Sequence, residues 1–225
     1  MSLWRSGGGR AVLLLLVVFA IWAVSARRTG HGQVPAFVAK SQSSALAGDQ
    51  TAVLAGGCFW GVDAVFKHVK GVKSVVAGYS GGEEDTAHYE LVGMGTTGQA
   101  ESVKITYDPT QISYSDLLRV FFSVAHDPTE LNRQGPDAGP QYRSAIFYAN
   151  DEQKQIALAY IEQLNQLKTF SAPIVTQVVP LKGFYPAEEY HQNYLERHPN
   201  QPYIIFYDAP KLRTLQKEFP SLYKP

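Results

Sequence analysis

Cys58 is the only cysteine among 225 residues. No disulfide can close within the chain and no thiolate zinc cluster can be assembled, so a stable fold has to come from core packing. The material for a core is present. Hydrophobic residues make up 45% of the chain, with thirteen Tyr, eleven Phe and three Trp, which suits one well-packed domain and excludes a disordered or collagen-like chain. Basic and acidic side chains balance over the whole sequence, and without residues 1–26 there remain 18 basic against 20 acidic. With no basic excess to neutralise phosphates, nucleic acid is not an expected partner.

Residues 1–26 read as a targeting segment. Arg5 and Arg10 form a basic start, Ala11 to Val24 is an unbroken apolar run of fourteen residues, and Val24-Ser25-Ala26 offers small residues suited to cleavage. The run is shorter than the roughly 20 residues a spanning helix prefers. The expectation is an exported protein, periplasmic or secreted, with retention as an N-terminal membrane anchor as the alternative. Residues 27–50, rich in Gly and Ser without sustained periodicity, read as a flexible linker. A catalytic domain is expected over 51–208 and a C-terminal tail over 209–225.

The domain alternates strands and helices. Thr51–Ala55, Ser74–Tyr79, Glu101–Tyr107, Ala145–Tyr148 and Ile174–Pro180 read as strands. Phe59, Val62, Phe66 and Val69 fall on one helical face, and Ser113 or Ser115 can cap a helix bearing Leu117, Leu118, Phe121, Phe122 and Val124. Asn150 or Asp151 caps a long helix to about Lys168 with Ile156, Tyr160, Leu164 and Leu167 on its apolar face. Ala187–Arg197 reads as a polar helix, and Leu212, Leu215 and Phe219 as a small tail helix. Interleaving of this kind predicts an α/β fold, an α+β plait with a ferredoxin-like mixed sheet and flanking helices.

Cys58 follows Gly56-Gly57 at a strand end and opens a helix. Free backbone N–H groups and the helix dipole there favour an anion, so the sequence predicts a thiolate with a pKa below the usual ~8.5. Phe59 and Trp60 can wall an apolar slot for a methyl or thioether group, although Phe59 also fits the helix's core stripe. Glu101 shares strand parity with Val103, Ile105 and Tyr107, so its carboxyl points to the apolar face, where a raised pKa suits a general acid. Tyr89 and Tyr142 can donate to a developing oxyanion, and Asp137 lies in the glycine-rich loop 135–139. His126 and His191 read as structural.

The run Gly57-Cys58-Phe59-Trp60-Gly61 resembles the signature of the A-type peptide methionine sulfoxide reductases. Gly78-Tyr79-Ser80-Gly81-Gly82, Tyr89-Glu90, Gln99-Ala100-Glu101, Tyr107-Asp108-Pro109, His126-Asp127-Pro128 and Gln141-Tyr142-Arg143-Ser144 follow in that family's order, over roughly 51–208. The resemblance implies that Cys58 attacks the sulfur of methionine sulfoxide, Glu101 protonates the oxygen, and Tyr89 and Tyr142 bind it. Phe59 and Trp60 clasp the S-methyl group, and Asp137 orders the polar side of the pocket. It implies the S epimer, oxidised proteins or peptides as substrates, and no metal or bound cofactor. Many members carry further cysteines that resolve the sulfenic acid. Here position 61 is Gly and the tail has none, so an external thiol, thioredoxin-like, glutaredoxin-like or small, has to recycle Cys58. Gln99 stands where a His is frequent, which implies a change in fine tuning. A monomer is the default.

Two other classes remain open from the residues alone. One is a cysteine hydrolase or acyltransferase with His126 or His191 as base. The other is a non-catalytic module gripping methionine-like side chains between Phe59 and Trp60.

Overall fold

The computed structural model describes residues 34–38 and 48–225. The targeting segment expected at 1–26 lies outside the described residues, as does most of the expected linker. The described chain begins with a short extended piece, 34–38, and then enters β1 (Gln50–Gly56), α1 (Phe59–Lys67) and β2 (Val72–Ser80). A short helix α2 (Tyr89–Gly93) leads to β3 (Ala100–Tyr107), and α3 (Tyr114–Val120) continues into a π-helical turn, Phe121–Ala125. The two-residue strands β4 (Arg133–Gln134) and β5 (Asp137–Ala138) form a small ribbon before β6 (Ser144–Tyr148) and the long helix α4 (Asp151–Gln166). The chain closes with β7 (Gln177–Pro180), β8 (Tyr185–Pro186), α5 (Tyr194–Arg197) and α6 (Ala209–Glu218).

The main sheet has the order β7-β6-β1-β3-β2-β8, parallel only between β6 and β7. Its central four strands, β6-β1-β3-β2, have the arrangement of a split βαβ plait, as expected. Period-two alternation explains the sheet's two unlike faces. On the helix-covered face Leu54, Val103, Ile105 and Ile146 join Phe59, Phe66, Leu117, Leu118, Phe121 and Phe122 in the main core. Each fully buried aliphatic there contributes roughly 1.5–3 kcal/mol. The other face carries small residues, Ala55, Ala100 and Ala145, with Val53 and Phe147, covered by Val179, Leu181 and Phe184.

Local signals placed several ends correctly. Ser113 Oγ accepts the Asp116 N–H at 3.0 Å, and Asn150 Oδ1 accepts the Gln153 N–H at 2.9 Å, so each caps its helix. Three expectations need correction. Leu167, expected on the buried face of α4, is 59% exposed because the helix ends at Gln166, while Gln153 and Ala157 are buried with Tyr160 and Leu164. The strand expected from Ile174 begins only at Gln177. Ala187–Arg197 is not one helix but a 3-10 turn at Glu189–His191 and the single-turn α5. Gln192 breaks it: its amide bonds the N–H and C=O of Ala77 on β2 and the C=O of Ala187, tying the chain to the sheet edge. Asn193 then adopts φ +53°.

The linker expectation also fails where it can be seen. Val34 is fully buried, Tyr160 Oη donates to Pro35 O at 2.6 Å, Gln163 brackets 36–38 with two bonds, and Arg119 Nε donates to Val34 O at 2.8 Å. Residues 34–38 are therefore a strap docked on α3 and α4. At the other end, Leu215 and Phe219 enter the main core, so the expected tail is part of the domain.

Candidate active site

β1 delivers the chain to the top of the sheet, and Gly57 turns it at φ +85°; a Cβ there would lie 2.5 Å from Gln134 Cγ. Cys58 then caps α1, 9% exposed. Glu101 stands at the start of β3, paired across the ladder with Tyr79 on β2, and faces the helices as its parity predicts. It is 3% exposed, and the Phe59 N–H at the start of α1 donates to Oε2 at 3.0 Å.

Burial dominates the electrostatics. It pushes the Glu101 carboxyl up to about 8, against the Phe59 N–H, with Asp137 adding to the rise. At neutrality the group holds its proton, as a general acid must. Burial also pushes the Cys58 thiol well up, reinforced by Glu101 and Asp208 and opposed by the Trp60 N–H and Lys211. The lowered thiol expected from the helix terminus is corrected here: desolvation outweighs the dipole. Glu101 shares a side-chain hydrogen bond with Cys58, so the two groups titrate together.

Of the other expected site residues, the structure gathers Tyr89, Tyr142, Asp137 and Trp60 around this pair. Tyr142 and Tyr89 lie within electrostatic range of both Glu101 and Cys58, and burial raises both phenols, Tyr89 to about 12. They are un-ionised donors at any ordinary pH. Trp60 is half-buried, stacked on Tyr194 at 3.6 Å between centroids and edge-on to Tyr203 at 5.9 Å. Its indole N–H donates to His191 Nδ1 at 3.1 Å. Phe59, 1% exposed, sits behind the site against Tyr79 and His191 rather than lining an open slot.

Several contributors were not anticipated. Tyr203 donates a short hydrogen bond to Asp137 Oδ2, and burial, with Cys58 nearby, raises its phenol. Glu188 accepts from Tyr79 Oη and the Tyr89 N–H, both at 2.9 Å, fixing the start of α2. Arg143 bonds the carbonyls of Gly98, Gln99 and Pro140, locking the Tyr142 loop to β3. Gln99 itself braces the turn at Gly82 and Glu83. Of these, Gln99 and Arg143 fell within family motifs in the sequence; Tyr194, Tyr203 and Asp208 reach the site on short or irregular elements with no periodicity to reveal them.

Neither histidine serves as a base for Cys58. His126 lies under Gly56, bonded to Phe121 O at 3.1 Å and Ser144 Oγ at 2.6 Å, and burial lowers it to about 3. His191 Nδ1 is engaged by Trp60. Among the described residues no three His, Cys, Asp or Glu side chains converge as metal ligands would. A buried thiol, a protonated carboxyl beside it and neutral phenol donors suit the reduction of a polar S–O group entering an aromatic pocket.

Comparison with known proteins agrees. Residues 50–222 match the family described as peptide methionine sulfoxide reductase. A reductase of this type from Mesorhizobium japonicum, MsrA 2, is 59% identical over 179 residues, spanning 80% of this chain and 92% of its own. An MsrA of Thermus thermophilus is 50% identical over 79% of this chain and 99% of its own. Reduced Mxr1 of Saccharomyces cerevisiae superposes with a TM-score of 0.61 at 34% identity, covering 72% of this chain and 93% of that one. Methionine sulfoxide reductase A of Corynebacterium diphtheriae gives 0.58 at 34%, covering 68% and 77%. The chain belongs to the peptide methionine sulfoxide reductases, oxidoreductases that reduce methionine sulfoxide in peptides.

Proposed function

We propose that this reductase acts on the S epimer of methionine sulfoxide through Cys58 as sole redox group, recycled by a thiol from outside the chain. The observation that carries this reading is the Cys58–Glu101 couple: a buried sulfur beside a carboxyl that keeps its proton to about pH 8. Cys58 attacks the substrate sulfur while Glu101 gives its proton to the sulfoxide oxygen, and the thiol proton that Cys58 loses restores Glu101 to its acid form. Tyr89 and Tyr142 donate hydrogen bonds to that oxygen as charge develops on it. Trp60 holds the methyl group with Phe59 behind it, and Asp137, tied to Tyr203, orders the polar rim. The substrate sulfur gains two electrons and leaves as methionine, and Cys58, having taken the oxygen, becomes a sulfenic acid.

No second cysteine exists in the chain to attack that sulfenic acid. An external thiol condenses with it, releasing water and leaving a mixed disulfide, and a second thiol frees Cys58. The chemistry fits a thioredoxin-like, glutaredoxin-like or small thiol alike. The apolar run and small-residue site at 11–26 support export or an N-terminal tether, with the reductase domain held outside the cytosol.

The test is a single-turnover reaction of the pre-reduced full-length chain with peptides bearing either sulfoxide epimer. One methionine per enzyme from the S epimer, none from the R epimer, and a trapped sulfenic acid on Cys58 are expected. Equal turnover of both epimers, or methionine without oxidation of Cys58, overturns the reading.

A further inference from the structure

Asp208 is completely buried, and only one of its carboxylate oxygens has a hydrogen-bond partner. Lys211 Nζ donates to Oδ1 at 3.1 Å, and Oδ2 has none among the described residues. Such a half-satisfied buried pair is a poor stabiliser, since an apolar replacement of similar shape is usually as stable or more so. Folding alone does not explain it, and the reaction described above does not use it.

Its location does suggest a use. A Cβ built on Gly61 would stand 2.1 Å from Asp208 Oδ1 and 2.6 Å from Lys211 Nζ. The ion pair thus fills the volume a side chain at 61 would need. Gly61 is in the first turn of α1, whose N-cap is Cys58. The C-terminal segment therefore touches the redox centre at one charged point, where the π-helical turn Ile204–Asp208 passes into α6.

We propose that the Asp208–Lys211 pair is a positioning device for Cys58, seating α6 on the first turn of α1 through the space left by Gly61 and setting the charge around the sulfur independently of Glu101. The inference rests on Cys58 being the nucleophile. Groups within electrostatic range of the sulfur are Glu101 from β3, Asp208 and Lys211 from the C-terminal segment, and the phenols Tyr89, Tyr142 and Tyr203. Burial pushes the Asp208 carboxyl itself up, Lys211 opposes that rise as its ion-pair partner, and Asp137, bonded to Tyr203, adds to it. Among these the Asp208 charge raises the thiol and the Lys211 charge lowers it, with Asp208 the larger influence. The pair adds to burial and Glu101 in holding Cys58 protonated in the empty enzyme, and this restrains its reaction with adventitious oxidants and alkylating agents. It also makes position 61 unavailable to a larger residue, a second cysteine included.

The test is the pH profile of Cys58 alkylation by iodoacetamide in the full-length chain, a readout that needs neither substrate nor turnover. Asp208→Asn preserves shape and removes the anion; the alkylation midpoint is expected to fall by about one pH unit. Gly61→Ala displaces the carboxylate without deleting it, and should lower the melting temperature even though Ala is ordinarily the better helix former. The double variant Gly61→Ala/Asp208→Ala should regain most of that loss. A profile for Asp208→Asn superimposable on wild type overturns the proposal, because a merely structural pair would leave the thiol unmoved. So does a Gly61→Ala protein as stable as wild type. Failure of Cys58→Ser to abolish sulfoxide reduction would instead sink the nucleophile reading on which the proposal rests.

Discussion

The site has two halves built on different principles. Cys58 and Trp60 stand at the start of α1, straight after β1, and Glu101 stands on β3, held by ladder hydrogen bonds and a continuous core. Asp137, Tyr142, Glu188, Tyr194, Tyr203 and Asp208 arrive on the two-residue strand β5, the single-turn α5, loops, a 3-10 turn and a π-helical segment, held by side-chain bonds such as Tyr203–Asp137 and Arg143 to three carbonyls. In the proposed reaction the first half supplies the groups that exchange electrons and protons. The second supplies donors, aromatic walls and charge. Regular elements fix the reacting atoms, and irregular chain tunes them.

The largest effect expected is on the regular half. Cys58→Ser should abolish single-turnover methionine formation and leave the melting temperature close to wild type, since the thiol makes little of the core. Residual reduction would mean the sulfur is not the acceptor. Next comes a pair within the irregular half. Tyr142→Phe should slow the reaction by roughly 10²-fold through loss of one donor to the developing charge. Tyr203→Phe should cost only about tenfold, the value of one charged hydrogen bond, because it acts through Asp137. Equal losses would erase the distinction between a direct donor to the substrate oxygen and a group that acts through Asp137, and the rate ratio measured at saturating substrate decides it.

These two halves were unequally legible in the sequence. Strand parity put Glu101 on the helix face and the Gly-Gly turn put Cys58 at the start of α1, because backbone periodicity dictates both. The family resemblance added roles for Tyr89, Tyr142 and Asp137. Tyr203 and Asp208 were missed, since a residue placed by tertiary bonds leaves no period to read. The same physics broke the helix expected over 187–197, where Gln192 prefers the edge of β2 to helical continuation. The thiol's direction was misjudged because helix polarity is visible in sequence, and depth of burial is not.

The smallest expected effect lies far from the chemistry. Tyr160→Phe removes the bond to Pro35 and should cost about 1 kcal/mol of stability with no change in turnover. Thermal melting beside a rate assay separates the two; a slowed reaction would mean that the docked strap reaches the site.

The proton on Glu101 also links stability to pH. Its folded carboxyl holds the proton to about 8, against 4.5 for an ordinary glutamate. Between those values the folded state binds more protons than the unfolded one, so stability falls as pH rises through that window. Glu101→Gln should lack this loss and melt higher than wild type near pH 8, while reacting roughly 10²–10⁴-fold more slowly.

The pH dependence of single-turnover methionine formation, wild type beside Glu101→Gln, tests the central claim most directly. The account predicts a wild-type rate that falls as pH rises through about 8, and a slow variant without that alkaline limb. A variant as fast as wild type, or one retaining the same limb, would contradict the assignment of the proton to Glu101.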